Sequence, residues 1–113
     1  MKVANEKVII AASMSAGFES QPLLIEQCYG FGFQCVFTGS PNGAMKLQAS
    51  NDDVQLENQV VNWSDIANSS SPITSPGDLL YNVNGAIYKW VKIVYVFSSG
   101  TGSCNVTFLS KGI

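Results

Sequence analysis

The sequence predicts an all-β protein, an antiparallel two-sheet sandwich formed by a single domain over residues 1–113. Three observations carry that expectation. Apolar residues recur with a period of two along several stretches, the spacing that turns one face of a strand toward a core. β-branched and aromatic residues dominate those stretches, and no long window holds an apolar pattern at the helical period. Clusters of Gly, Pro, Asn and Ser break the pattern at intervals of about 8–12 residues, as in sandwiches and barrels.

Taken in order, residues 7–14 place Val8, Ile10, Ala12 and Met14 on one face. Residues 1–7 carry little core signal and are expected to form an arm that docks on a neighbour. Residues 31–38 place Phe31, Phe33, Cys35 and Phe37 inward. Gly39-Ser-Pro-Asn-Gly43 then predicts a tight turn, because Asn42 and Gly43 tolerate positive φ. Residues 44–50 alternate Met45, Leu47 and Ala49 against Lys46, Gln48 and Ser50, which completes a predicted hairpin with one wet face. Residues 51–58 are polar and loop-like. Trp63-Ser-Asp-Ile66 suits a short strand or turn, and 67–77, with two prolines, a long surface loop. Leu79, Tyr81 and Val83 alternate on a further strand, which Asn84-Gly85 turns back. Residues 87–97 are the most apolar strand. Val91, Ile93, Tyr95 and Phe97 lie on one face and Tyr88, Trp90, Lys92, Val94 and Val96 on the other, so this strand is expected at the centre of its sheet. Residues 98–103 read as a hairpin loop before a last strand with Cys104, Val106 and Phe108 inward.

Composition excludes several functions. Only 12% of the residues are charged, so the exterior must be built from Ser, Asn, Gln and Thr, and weak electrostatic repulsion favours self-association. The net charge is −2, there is no Arg, and the six lysines (2, 7, 46, 89, 92 and 111) form no patch. Neither nucleic acid nor an anionic membrane is an expected partner. No segment has the length of an apolar helical span. The opening residues imitate a secretory leader, but the apolar run 8–12 is too short and Glu6 precedes it, so a strand is expected. The triplets at Asn62, Asn68 and Asn105 therefore carry no weight as glycosylation sites. The absence of His removes the Ser–His and Cys–His nucleophile systems, the common zinc sites and the usual base near neutral pH. The expectation is a protein that is not an enzyme and carries no cofactor and no metal.

Cys28, Cys35 and Cys104 form no CxxC pair, and two alternate in phase with apolar neighbours. Three free thiols in a reducing compartment are expected, with a disulfide between two of them as the alternative. Asn51-Asp52-Asp53 offers oxygen ligands of the kind calcium takes, although an Asx-rich run after a strand more often bonds its own backbone. Glu57, Asp65 and Asp78 would need a shared cleft to act as acid and base, and nothing in their spacing provides one. Most aromatics fall in phase with the core. Trp63 lies in a polar stretch and is the one candidate ligand or interface contact, with a plug at the end of the sandwich as the plain alternative. Lys92 on a two-sided strand implies snorkelling, a place near the sheet end, or burial against a neighbouring subunit.

Several stretches together resemble small structural proteins of tailed-bacteriophage virions. They are Thr38-Gly-Ser-Pro-Asn-Gly-Ala-Met-Lys-Leu-Gln-Ala-Ser-Asn-Asp52, the segment Asn62-Trp-Ser-Asp-Ile66, and the closing run from Tyr88 to Gly112 with its Ser-Gly-Thr-Gly turn. The resemblance covers about residues 15–112 and implies a jelly-roll or discoidin-like sandwich used in virions, with no catalytic or metal residue to transfer. It implies a head decoration protein, a fibre part or a minor tail component. The expected function is a capsid decoration protein bound in many copies to the head, with the major capsid protein or other virion proteins as partners. The alternative is a carbohydrate- or receptor-binding module of a fibre, its site built from Trp63 and the loops 39–43, 51–58 and 67–77.

Overall fold

The computed structural model describes residues 2–25, 28–51, 62–85 and 88–112. Every regular element among them is a strand: β1 Lys2–Ser13, β2 Phe18–Glu19, β3 Leu23–Leu24, β4 Cys28–Ser50, β5 Ser64–Asp65, β6 Ser71–Ile73, β7 Gly77–Asn84 and β8 Trp90–Gly112. All pairings are antiparallel. The organising feature is the pair β4 and β8, each 23 residues long and hydrogen-bonded to the other from Cys28–Gly112 to Ser50–Trp90. A straight strand of that length would run about 75 Å. The longest dimension of the molecule is 39 Å, so the pair must fold over.

It folds where both strands are rich in glycine. Gly39 faces Gly102, Ser40 faces Thr101, Pro41 faces Gly100 and Asn42 faces Ser99, with a register shift between Asn42 and Gly43. Gly39 and Gly100 have φ of 86° and 90°, closed to most L side chains. Each strand crosses from one layer to the other here without losing its partner. The residues 39–43 and 98–103 are therefore not hairpin turns, as their composition suggests. They are the corner of the sandwich. Residues 31–38 and 44–50 are consecutive halves of one bent strand, in different layers, rather than a hairpin.

The first layer has the order β1, the C-terminal half of β8, the N-terminal half of β4, then β7. The second contains β2 and β3, the N-terminal half of β8, the C-terminal half of β4, then β5 and β6. Residues 90–97 are central in their layer, as the two-sided pattern implies. Between the layers lies one core, with Phe31, Phe33 and Phe108 from the first and Leu47, Ile93 and Tyr95 from the second. Phe33 and Phe108, opposite each other in the register, have ring centroids 5.2 Å apart.

Three local expectations are corrected. Residues 2–7 are no free arm, because they pair with 107–112 of the same chain as an edge strand. In β1, register shifts between Lys7 and Ile9 and between Ile9 and Ala12 reset the alternation. Ile9 is buried and Ile10 is 70% exposed, the reverse of the strict period-two pattern, because a bulge residue flips the faces beyond it. The segment 67–77 is not simply a surface loop. Ser69 is buried and its Oγ accepts from the Leu47 N–H (3.1 Å) and donates to the Ile66 carbonyl (2.7 Å). The Tyr81 hydroxyl reaches across from β7 to the carbonyls of Ser69 and Met45 at 2.6 and 2.9 Å.

Candidate functional site

The two outer faces of the sandwich differ in how their polar groups are used. On the second layer the alternation of β8 sends Lys92 outward, yet its side chain is only 11% exposed. Its Nζ meets Glu19 Oε2 at 2.6 Å and sits 4.4 Å from the centroid of the Trp63 ring. The sequence left three ways to accommodate this lysine: snorkelling, a place near the sheet end, or burial against a neighbouring subunit. The structure supplies a carboxylate from β2 and an aromatic face instead, which offset the desolvation of the ammonium. Trp63 is half-buried beside β5 as one wall of this cluster. Next to it, Asp65 accepts from Gln48 Nε2 (2.9 Å) and Lys46 Nζ (3.2 Å). These bonds, Gln48 first, hold its carboxyl below the usual value.

The remaining candidates do not converge. Asp65 lies on the second layer and Asp78 on β7 of the first, so they share no cleft. Asn51 uses its Oδ1 to accept the backbone N–H of Lys89 at 2.8 Å, a long-range bond that ties the end of β4 to the start of β8 rather than a local Asx turn. Glu57, Asp52 and Asp53 lie outside the described residues. No cluster of three potential metal ligands occurs among the described residues. The three thiols are unpaired. Burial, with a smaller contribution from Cys104, pushes Cys35 up to about 12, and burial pushes Cys104 up to about 11, so both are inert at neutral pH. Trp63 and the segment 39–43 do not form one site. Trp63 flanks the Ser64–Ala49 pairing, about eight extended residues and roughly 25 Å along β4 from Pro41.

The first layer carries a feature that composition hid. Its outer face contains a trough of about 510 Å³ across β1, β8, β4 and β7. The register explains it. Gly32 stands between Leu109 and Asn82, and Gly30 between Lys111 and Asn84. Two neighbouring rows of the sheet therefore lack a side chain at the centre and keep one on either flank. Gln34 and Thr107 close one end, and Tyr29 and Asn5 line it as well. The glycines also have a packing cause. A Cβ at Gly32 would lie 2.6 Å from the Tyr81 carbonyl oxygen, so β7 approaches too closely for any side chain there. Around the trough Tyr29, Val36, Leu80 and Leu109 are exposed by 43, 45, 72 and 40%. Sequence reasoning missed the site because the alternation Tyr29-Gly-Phe-Gly-Phe33 reads as one inward face. The glycines on the other face were the available signal.

No protein-family model matches the sequence, and no curated protein matches it. Solved structures do match the fold. The SPBc2 prophage-derived protein YomS superposes over 96% of this chain and 94% of its own, with a TM-score of 0.57 and 15% identity. PirA covers 94% of this chain and 92% of its own, at 0.58 and 12%. The PBSX exported protein XepA matches 97% of this chain at 0.64 and 8%, but the chain spans only 37% of XepA. At these identities the likeness establishes a shared all-β fold.

Proposed function

We propose that this chain is a non-enzymatic structural part of a bacteriophage particle, a capsid decoration protein bound in many copies to the head. The observation that carries the reading is the end-to-end match with a prophage-derived protein of nearly the same extent. The sequence resemblance to tailed-phage virion proteins supports it, as does a surface poor in charge. With six basic and eight acidic residues, little electrostatic repulsion opposes close packing of copies. On a symmetric shell, weak contacts repeated many times give avidity without any strong single contact. Its partners are then the major capsid protein and copies of itself, and its place is the virion. Purified protein is expected to cosediment with assembled empty capsids and not with unassembled coat protein. Equal binding to both would rule out a role that depends on the lattice.

A second reading, a carbohydrate- or receptor-binding module of a fibre, is favoured by the trough on the first layer. In that reading the ring of Trp63, which faces Lys92 on the opposite layer, is no part of the trough. A glycan array and a cell-adsorption assay test it. No glycan bound and no adsorption would remove it.

A further inference from the structure

We infer that the trough over Gly30 and Gly32 binds a neutral oligosaccharide. The inference rests on the carbohydrate-binding reading and deepens it by moving the site from the Trp63 region to the opposite layer.

Three properties carry it. First, the lining chemistry is that of a sugar site. Gln34, Asn82 and Asn84 each present a donor and an acceptor side by side, the arrangement that pairs with neighbouring hydroxyls. Among the described residues, Lys111 is the only charged one that lines the trough. A phosphate, a carboxylate-rich polymer or an acidic peptide would find one cation, whereas a neutral polyol needs none.

Second, these amides are unspent. Among the described residues no intramolecular hydrogen bond engages the side chains of Gln34, Asn82 or Asn84. The second layer is the internal control. There Gln48, Lys46, Asp65, Lys92 and Glu19 are all committed to one another. The two faces belong to one chain of uniform composition, so the difference is one of placement.

Third, the shape fits. The glycine floor leaves backbone at the bottom, and the volume lies within the range of about 300–1,000 Å³ usual for small-molecule sites. Tyr29, Leu80 and Leu109 are apolar and exposed at the rim, where the C–H face of a pyranose can lie against them.

The test is an NMR titration of the ¹⁵N-labelled protein with a panel of neutral oligosaccharides: maltohexaose, cellohexaose, chitohexaose and mannohexaose. At least one is expected to shift the side-chain amides of Gln34, Asn82 and Asn84 and the backbone amides of Gly30 and Gly32, saturably. Asn82→Ala and Gln34→Ala, both at exposed positions, should each weaken that binding about tenfold. Trp63→Ala should leave it unchanged. Binding that disappears with Trp63→Ala and survives Asn82→Ala would overturn the trough while leaving the carbohydrate reading intact. No binding across the panel would overturn both. Trough shifts that depend on protein concentration and not on sugar would assign this face to a second copy of the chain and overturn the inference.

Discussion

Replacing Gly100 with Ala tests the corner on which both layers depend. Gly100 has φ of 90°, and a Cβ there would lie 2.2 Å from the Ser40 carbonyl oxygen and 3.2 Å from the Asn42 nitrogen. Both neighbours are backbone, so no rotamer change relieves the clash. The left-handed conformation costs an L residue about 1–3 kcal/mol. Forcing the two strands apart adds about 1–3 kcal/mol, as overpacking does elsewhere. Loss of glycine's freedom in the unfolded chain returns about 0.4–1 kcal/mol. The expected destabilisation is about 1–5 kcal/mol, a fall in Tm of roughly 5–20 °C for a domain of this size. Gly85→Ala is the control. Its φ is 67°, but no atom of the described residues lies within 4 Å of the added Cβ, so only the conformational part applies, about 1 kcal/mol. Urea unfolding followed by Trp fluorescence and by circular dichroism measures both. If Gly100→Ala costs no more than Gly85→Ala, the segment 98–103 is a slack loop and the reasoning about a paired, bent corner fails.

Other outcomes follow from the same packing. Tyr95 is buried and its hydroxyl lacks a hydrogen-bond partner of good geometry among the described residues, so Tyr95→Phe is expected to be neutral or stabilising within about 1 kcal/mol by the same urea assay. Glu19→Ala strands a nearly buried ammonium and should cost about 1–2 kcal/mol, whereas Lys92→Met leaves only a solvated carboxylate and should cost less; the reverse order in chemical denaturation would refute the cluster. Cys35, Cys104 and Tyr81 have folded-state values of about 12, 11 and 12, raised above 9.0 for the thiols and 10.0 for the phenol chiefly by burial. The unfolded chain thus loses these protons first, so stability is full below about pH 9 and declines from there toward pH 12. In the same folded protein a thiol reagent at pH 8 should label Cys28 alone, and rapid labelling of all three by mass spectrometry would show that the core opens.

The fold class was legible in the sequence because the period-two signal is local. Phe31 to Phe37, Met45 to Ala49 and Cys104 to Phe108 alternate, and each is buried on the predicted face. Connectivity was not legible, for a physical reason. Glycine at positive φ is required both where a chain reverses and where a paired strand bends, and only the partner strand distinguishes the two. Gly39-Ser-Pro-Asn-Gly43 lies opposite Phe97 to Gly102, so both glycine-rich runs bend together, a fact about two segments some sixty residues apart. The short strands β2 and β3 escaped notice because two residues cannot display a period. Trp63 was visible as an aromatic in a polar stretch, but its partner Lys92 was not, because the cation–π contact joins positions distant in sequence. The trough was hidden in the same way. Gly30 and Gly32 are ordinary until the register sets Asn82, Asn84, Leu109 and Lys111 around them.

The contrast between the two faces also constrains how a lattice role and a sugar site can coexist. A rigid protein contact laid over the first layer would take Gln34, Asn82 and Asn84 out of water without a defined partner. Each such group costs about 1–3 kcal/mol when left unsatisfied. The second layer carries no comparable penalty, because Lys46, Gln48 and Asp65 already satisfy one another and Lys92 is held by Glu19. It also exposes Leu24 and Val96, at 52 and 46%, as apolar material for a contact. The capsid should therefore meet the second layer and leave the trough facing outward. Decorated capsids are then expected to retain the oligosaccharide affinity of the free protein, and Leu24→Asp is expected to abolish cosedimentation with capsids without altering the NMR titration. Release of the protein from capsids by saturating oligosaccharide would mean that both ligands use one face, and the assignment of the second layer to the lattice would be wrong.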